Sequence, residues 1–307
     1  VVNGHLGELY LESHGVVFSP ETARINEFSV KNTDVSLTLE NMEDTDTTTT
    51  EPIYWKILLD EIDFENVGFA LNMPQDSLFV RTMLPKTTLK DGVIDLKEAS
   101  YYVKSFDMDN AELAYGPKEE LSLKKIGLQL DSIYYCGRDI RANIEEFVFK
   151  ERSGLELVST EGRIASDSVL IQIPKFTMKT TASSLDLQTK IGWDVLEMKK
   201  TGVLSAKINA EIGKGDVAKI LGGRDTLFLQ TYPNKPFVFR ADAEGDLKRL
   251  RLRTLEAGLA KAFELKAEGD LLHLTDSLRR GGEIKLLAES KDMKFLKPMT
   301  DGSIAIP

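Results

Sequence analysis

The segment that decides the fold is IDFENVGFAL, residues 62–71. Its apolar side chains fall on even positions before Asn66 and on odd positions after it. Because successive side chains of a strand point to opposite faces, a straight strand would place half of them in water. Asn tolerates left-handed backbone, so a kink at Asn66 would return all of them to one face. The residues concerned are Ile62, Phe64, Val67, Phe69 and Leu71.

The same pattern recurs without gaps in two other segments, FSVKNTDVSL at residues 28–37 and FDMDNAELAY at residues 106–115. A fourth copy, LRLRTLEAGL at residues 250–259, has Thr254 in place of Asn. We therefore predict strand kinks at Asn32, Asn66 and Asn110. Bent strands stacked edge to edge would form a trough with an apolar interior. A closed sandwich or barrel core is the alternative, because alternation alone is also typical of such cores.

Short alternating runs separated by turn signals continue along the chain, which favours many strands over helices. Among the turn signals are Lys90-Asp91-Gly92 and Glu161-Gly162. The best helix candidate is residues 214–223, where Asp216 would cap the amide groups and glycines would end the helix. Residues 139–150 begin like a helix, but their aromatic end favours a strand.

The predicted fold class is all-β, an elongated, twisted, open β-groove of many short, bent antiparallel strands with one or two short helices. We expect residues 1–307 to form one continuous groove, with a possible sub-boundary near residues 198–202. Residues 41–52 are acidic and rich in threonine, so a flexible loop is expected there.

Composition excludes several classes of function. The chain has 39 Lys and Arg against 49 Asp and Glu, a net charge of −10, which disfavours nucleic acid as a partner. Cys136 is the single cysteine and there are three histidines, which leaves little material for a metal site or a Ser/His relay. We expect Cys136 to be a small buried residue, and we expect no enzyme, metal or cofactor.

Several tracts resemble the TamB family, the TamB/AsmA-like periplasmic β-groove proteins. They are residues 154–174, residues 202–221, the kinked motifs and the strand at residues 245–252, and the likeness spans residues 25–299. This resemblance implies an open β-groove that carries lipid toward the outer membrane of Gram-negative bacteria. It also implies a role in outer-membrane biogenesis with a TamA-type barrel or client protein. The full-length protein would be periplasmic and anchored in the inner membrane, with membrane contact through flanking segments.

The predicted function is to shelter lipid acyl chains, such as those of a phospholipid, in the apolar trough. A lining of apolar side chains needs no directed polar contact, because each buried methylene contributes about 0.8 kcal/mol. A different class of function is a structural or chaperone-like module that binds client strands by β-augmentation. The predicted lining is Phe28, Val30, Val35, Leu37, Ile62, Phe64, Phe69, Leu71, Phe106, Met108, Leu113, Tyr115, Leu250 and Leu252.

One run of basic residues is a candidate headgroup site. Alternation places Arg249, Arg251 and Arg253 on one face of a strand and Leu250 and Leu252 on the other. Arginines beside an apolar trough would suit a phospholipid headgroup. A solvated outer face is the simpler interpretation.

Overall fold

The computed structural model describes residues 1–39, 54–75, 77–199, 201–222 and 226–299. Sixteen strands of these residues form a single open sheet that is mixed but mostly antiparallel, with few short helices. The all-β prediction is confirmed, and the sheet is not closed. The acidic loop predicted at residues 41–52 falls wholly among residues 40–53, outside the described residues.

The chain divides into two compact units, Val1–Arg152 and Ser153–Pro307. The predicted sub-boundary near residues 198–202 and the continuous groove stay predictions. The strands of the first unit follow the order β1-β3-β4-β5-β6-β7-β8, and β2 also pairs with β3. Their bounds are β1 Val2–His5, β2 Glu8–Phe18, β3 Glu21–Thr38, β4 Lys56–Met73, β5 Leu78–Asp95, β6 Ser100–Tyr115, β7 Leu121–Cys136 and β8 Asp139–Glu151.

The second unit continues in the order β9 to β16, with each strand antiparallel to the next. Its strands are β9 Glu156–Ser166, β10 Leu170–Thr180, β11 Ser184–Gly192, β12 Leu204–Ile212, β13 Phe237–Gly245, β14 Arg249–Leu259, β15 Phe263–Leu272 and β16 Gly281–Ser290. Its helices are α1 Trp193–Leu196, α2 Lys214–Ile220, α3 Thr226–Thr231 and a 3-10 helix, Lys294–Met299.

The kinks predicted at Asn32, Asn66 and Asn110 are present. Their φ angles are 49°, 53° and 55°, all in the left-handed region. Asn32 and Asn66 lie at the same level in β3 and β4, and the side-chain Nδ2 of Asn66 donates to Asn32 Oδ1 at 3.2 Å. Pro85 occupies this level in β5 and has no N–H to leave without a partner. The interruption therefore runs across neighbouring strands.

A second line of interruptions crosses the same strands and was not predicted. It lies six residues from the first line, at Asn26, Asp60, Asp91 and Lys104 in β3 to β6, where the paired register skips one residue. Asp91 has a φ of 51°, and Lys104 Nζ donates to its carboxylate at 3.0 Å. Strands β3 to β7 are 16 to 18 residues long, so the two lines of interruptions divide them into three arms, where a single kink at each Asn would give two.

Two turn predictions are wrong. Lys90-Asp91-Gly92 lies inside β5, where Asp91 forms the second kink, and Glu161-Gly162 lies inside β9. Asp accepts left-handed backbone in a kink as readily as in a turn, which explains the first error. Gly162 is not left-handed; an added Cβ there would lie 2.6 Å from Phe176 Cδ2, so this glycine allows a close approach within the sheet. The fourth copy of the motif has a β-bulge instead of a left-handed kink. In it Arg253 and Thr254 of β14 lie opposite the single residue Glu268 of β15, and neither has left-handed backbone.

One pair of strands in the first unit departs from the predicted antiparallel arrangement. Strands β3 and β4 pair in parallel, from Thr22 opposite Lys56 to Thr38 opposite Asn72. The other pairs within the first unit are antiparallel. Residues 139–150 lie in β8, as predicted.

Helix α2 is confirmed, but its predicted cap is wrong. The N-cap is Gly213 without a side-chain hydrogen bond. Asp216 is instead buried, 2% exposed, and accepts hydrogen bonds from the hydroxyls of Thr180 and Ser183. Burial pushes the pKa of Asp216 upward, but these hydrogen bonds and the charge of Lys219 outweigh it and lower the pKa.

The second unit has a buried hydrophobic cluster beside its short helices. Phe228 of α3, Tyr232 just after it and Phe295 of the 3-10 helix pack on Leu259 and Ala262. Their ring centroids lie 5.3 to 5.9 Å apart. The helices thus cover one end of a sheet face in the second unit.

Candidate functional site

The candidate site in the first unit is one face of β3 to β8. Phe28 lies opposite Ile62, and Val30 lies opposite Phe64. Ile62 in turn lies opposite Leu89, which lies opposite Phe106. Since directly paired residues of adjacent strands share a face, these side chains form two rows across the sheet. The Phe28 row continues through Leu130 to Ile144, and the Val30 row continues through Thr87, Met108 and Leu128 to Phe147.

The kinks hold the outer arm on the same face. After Asn32 and Asn66, Val35 pairs with Phe69 and Leu37 pairs with Leu71. On this arm the pair Val35 and Phe69 continues through Thr82 to Leu113. The pair Leu37 and Leu71 continues through Val80 to Tyr115. The structure therefore brings together the twelve predicted lining residues of this unit. Sequence reasoning missed the third arm, which lies beyond the second line of interruptions. Its apolar face carries Ile25, Ile57, Ile94, Tyr101, Val103 and Ile133.

These side chains are partly open to solvent. Of the twelve, Val30 is buried, Phe69 and Tyr115 are 40% and 49% exposed, and the others are half-buried. The Phe28 and Phe64 rings meet edge to face with centroids 6.3 Å apart. Only five hydrophobic residues in the described part of this unit are buried, namely Val30, Leu59, Ala111, Ala114 and Ile126. Side chains of one strand thus contact those of the next, while no second layer seals the face among the described residues.

The opposite face of the same strands is charged. Glu61, Asp63 and Glu65 alternate with Ile62 and Phe64 in β4. On this face Lys90 Nζ lies 2.8 Å from Glu61 Oε1, and the hydrogen bond raises the pKa of Lys90. Thr88 Oγ1 donates to Asp63 Oδ1 at 2.5 Å. The sheet is therefore amphipathic, with ion pairs on one side and apolar side chains on the other.

The remaining predicted lining residues, Leu250 and Leu252, belong to the second unit. They lie on an apolar face of β14, where Leu250 pairs with Leu271 and Leu252 pairs with Gly269. Both are half-buried. They extend a face that belongs to the second unit itself.

Two of the three candidate headgroup arginines are occupied by acidic partners. Arg249 donates to Asp270 at 3.0 Å, which raises the pKa of Arg249 and lowers that of Asp270. Arg253 forms an ion pair with Glu244. Arg251 is exposed and has no ion pair among the described residues, but it lies opposite Glu244 and Asp270, and its charge helps to lower the pKa of Asp270. The alternation with Leu250 and Leu252 holds, but all three arginines lie beside acidic side chains.

The larger cavities do not lie on the apolar faces. In the first unit a cavity of about 560 Å³ opens on the charged side, where Asp34, Gly68, Met83 and Glu112 line it. In the second unit a cavity of about 590 Å³ lies near Lys235, Lys261 and Lys291. The apolar face is an open surface rather than a pocket.

The side chains of the described part of the chain form no group of three or more His, Cys, Asp or Glu that could hold a metal ion. Cys136 is half-buried rather than buried, and its thiol faces the Glu98 carbonyl oxygen at 3.6 Å. None of the described helices combines the length and the apolar character needed to cross a membrane.

Comparisons with known proteins found no counterpart: no family model matches the chain, and neither a curated protein nor a solved structure matches it. The resemblance to the TamB/AsmA-like group therefore stays a prediction.

Proposed function

We propose that this chain is a non-enzymatic lipid-binding protein of the bacterial envelope, whose apolar sheet face shelters acyl chains. The observation that supports it is the row of apolar side chains from Phe28 in β3 to Ile144 in β8, without a covering layer in the described residues. Monomeric proteins rarely expose contiguous apolar surface of this kind unless it binds something.

The geometry suits an extended apolar ligand. Six adjacent strands spaced by about 4.8 Å carry the row over roughly 24 Å, which suits a long acyl chain. Each methylene that leaves water contributes about 0.8 kcal/mol, so ten half-buried methylenes would contribute about 4 kcal/mol. No polar contact is required for this, and the charges of β4 and β5 are directed to the other face.

The resemblance to TamB/AsmA-like proteins adds the cellular part of the proposal. Under this proposal the chain belongs to a periplasmic protein that is anchored in the inner membrane and moves lipid toward the outer membrane. A TamA-type barrel or a client protein would be its partner in outer-membrane biogenesis.

The test is a pair of carboxylates placed on the two faces of β6. Phe106→Glu puts a charge in the apolar row, whereas Ser105→Glu puts the same group on the charged face, opposite Lys90. Because desolvating a carboxylate costs several kcal/mol, Phe106→Glu should weaken the binding of a fluorescent fatty acid roughly tenfold or more. Ser105→Glu should bind like the parent chain. Equal binding by both variants, with circular dichroism unchanged, would refute the proposal.

A second candidate function is supported by the open edge that β2 forms. Leu9 and Leu11 of this strand are exposed, and among the described residues β2 pairs with β3 alone. An extended client segment could add to such an edge by β-augmentation. Leu9→Pro and Leu11→Pro variants that lose client binding while they keep fatty-acid binding would favour this function over lipid binding.

A further inference from the structure

Strand β16 is a long exposed edge without proline, and charged side chains occupy some of its alternate positions. All ten of its residues are exposed, and Ile284, Leu286 and Leu287 retain 44%, 64% and 53% of their surface. Within the described ranges it pairs with β15 alone. Edge strands are usually short, twisted or interrupted by proline, because a long apolar edge templates another strand. This one is ten residues long and contains no proline.

The two faces of β16 differ as in the rest of the sheet. Ile284, Leu286 and Ala288 pair with Gly269, Ala267 and Leu265 and so extend the apolar face. The alternate positions carry Glu283, Lys285, Leu287 and Glu289 on the charged face. A partner strand must therefore match both an apolar row and an alternating charge pattern.

We propose that the partner is β16 of a second copy of this chain, paired antiparallel about a two-fold axis at Leu287. Such an axis, perpendicular to the sheet, keeps apolar face beside apolar face, because it pairs residues of equal parity. Leu286 then faces Ala288 of the other copy, and Leu287 faces its own counterpart.

Charge complementarity selects this register. With the axis at Leu287, Lys285 faces Glu289 and Glu283 faces Lys291, and symmetry repeats each pair. An axis at Leu286 would place Glu283 opposite Glu289, and an axis at Ala288 would place Lys285 opposite Lys291. Like charges directly opposite each other destabilise a strand pair. An axis at Ile284 pairs Glu283 with Lys285 but overlaps only the first part of the strand.

The charged groups are available for these pairs. Glu283, Glu289 and Lys291 form no ion pair within the part of the chain that the structure describes, although the charges of Glu289 and Lys291 act on Lys266 and Glu264 of β15. Lys285 Nζ lies 3.3 Å from Glu268 Oε1, but its side chain is 82% exposed and can turn to a partner. The Lys291 backbone N–H donates to the Ala262 carbonyl oxygen at 2.7 Å, which holds this residue in line with the strand.

The test is a charge swap on the full chain, followed by sedimentation velocity over a range of concentrations. The parent chain should form dimers of twice its 34.3 kDa mass. Lys285→Glu and Glu289→Lys should each raise the dissociation constant roughly tenfold or more, because two attractive pairs become repulsive. The double variant should restore dimerisation. Lys207→Glu, on the charged face of β12 and away from the edge, should leave it unchanged.

Cysteine cross-linking tests the register in a Cys136→Ser background. Leu287→Cys should give a disulfide-linked dimer on oxidation, because directly opposed residues have Cβ atoms about 4.5 to 5.5 Å apart. Lys285→Cys chains alone should form no disulfide-linked dimer, whereas a mixture of Lys285→Cys and Glu289→Cys chains should form one. A parent chain that stays monomeric at all concentrations would overturn the proposal. So would a chain whose β16 pairs with a strand of another protein but not with a second copy of itself. A dimer that survives Lys285→Glu would overturn it equally.

Discussion

Replacing Asn66 with Val tests whether the left-handed kink holds the apolar arms in phase. Asn66 has a φ of 53° and donates to Asn32 Oδ1 at 3.2 Å. Left-handed backbone costs an ordinary L-residue about 1–2 kcal/mol, and the lost hydrogen bond adds about 0.5–1 kcal/mol. Asn66→Val should therefore lower the free energy of unfolding of the first unit by about 2 kcal/mol.

Two matched variants separate the backbone from the side chain. Asn66→Gly loses the same hydrogen bond but accepts the backbone, so it should cost about 1 kcal/mol. Asn72→Val places the same residue in an extended part of β4 and should change stability by less than about 0.5 kcal/mol.

The assay is urea unfolding followed by the fluorescence of Trp55, which adjoins β4, in a Trp193→Phe background. The order of stability should be Asn72→Val, then Asn66→Gly, then Asn66→Val. If Asn66→Val matched Asn72→Val, the kink would not depend on left-handed backbone, and the reasoning would be refuted.

Three further outcomes are expected in the second unit. Asp216→Ala should lower its stability by about 2–3 kcal/mol at neutral pH, because the half-buried hydroxyls of Thr180 and Ser183 lose a charged acceptor; intact resistance to urea would contradict this. Since the folded-state pKa of Asp216 lies below its ordinary 3.8, its stabilising contribution is complete above that pH and is lost as the pH falls through the folded-state pKa, so the parent and Asp216→Ala chains should converge in acid. Phe295→Ala should cost about 3–5 kcal/mol through the cavity it leaves against Phe228 and Tyr232, and an unchanged melting temperature would show that the cluster is not a core. Gly269→Ala should speed hydrogen exchange in β16, because Gly269 has a φ of 150° and an added Cβ would lie 2.0 Å from the Glu283 carbonyl oxygen; unchanged exchange would mean that the strands pair differently.

The first line of kinks could be predicted because two signals coincide there. The apolar parity changes at Asn32, Asn66 and Asn110, and Asn is a residue that accepts left-handed backbone. The second line has the parity change alone. Leu59 and Ile62 are three residues apart, which already breaks the alternation, but the residues at this line are of mixed types and Asp91-Gly92 is typical of a turn.

Other features depend on contacts distant in sequence. The parallel pairing of β3 with β4 has no local signature, because an alternating strand reads the same in either direction. Asp216 at the start of a helix is typical of a cap, but the hydroxyls of Thr180 and Ser183 come from more than thirty residues away. The partners of Arg249 and Arg253 likewise lie on neighbouring strands, so the headgroup hypothesis could not be weighed from β14 alone.

The most direct test of an apolar face that holds acyl chains is photo-cross-linking from its two sides. A benzophenone amino acid would replace Phe64 or Phe106 on the apolar face, and Glu65 or Ser105 on the charged face, in chains incubated with a fatty acid. Mass spectrometry should find the fatty-acid adduct on the first two chains and not on the second two. Equal labelling from both faces, or labelling from neither, would contradict the account.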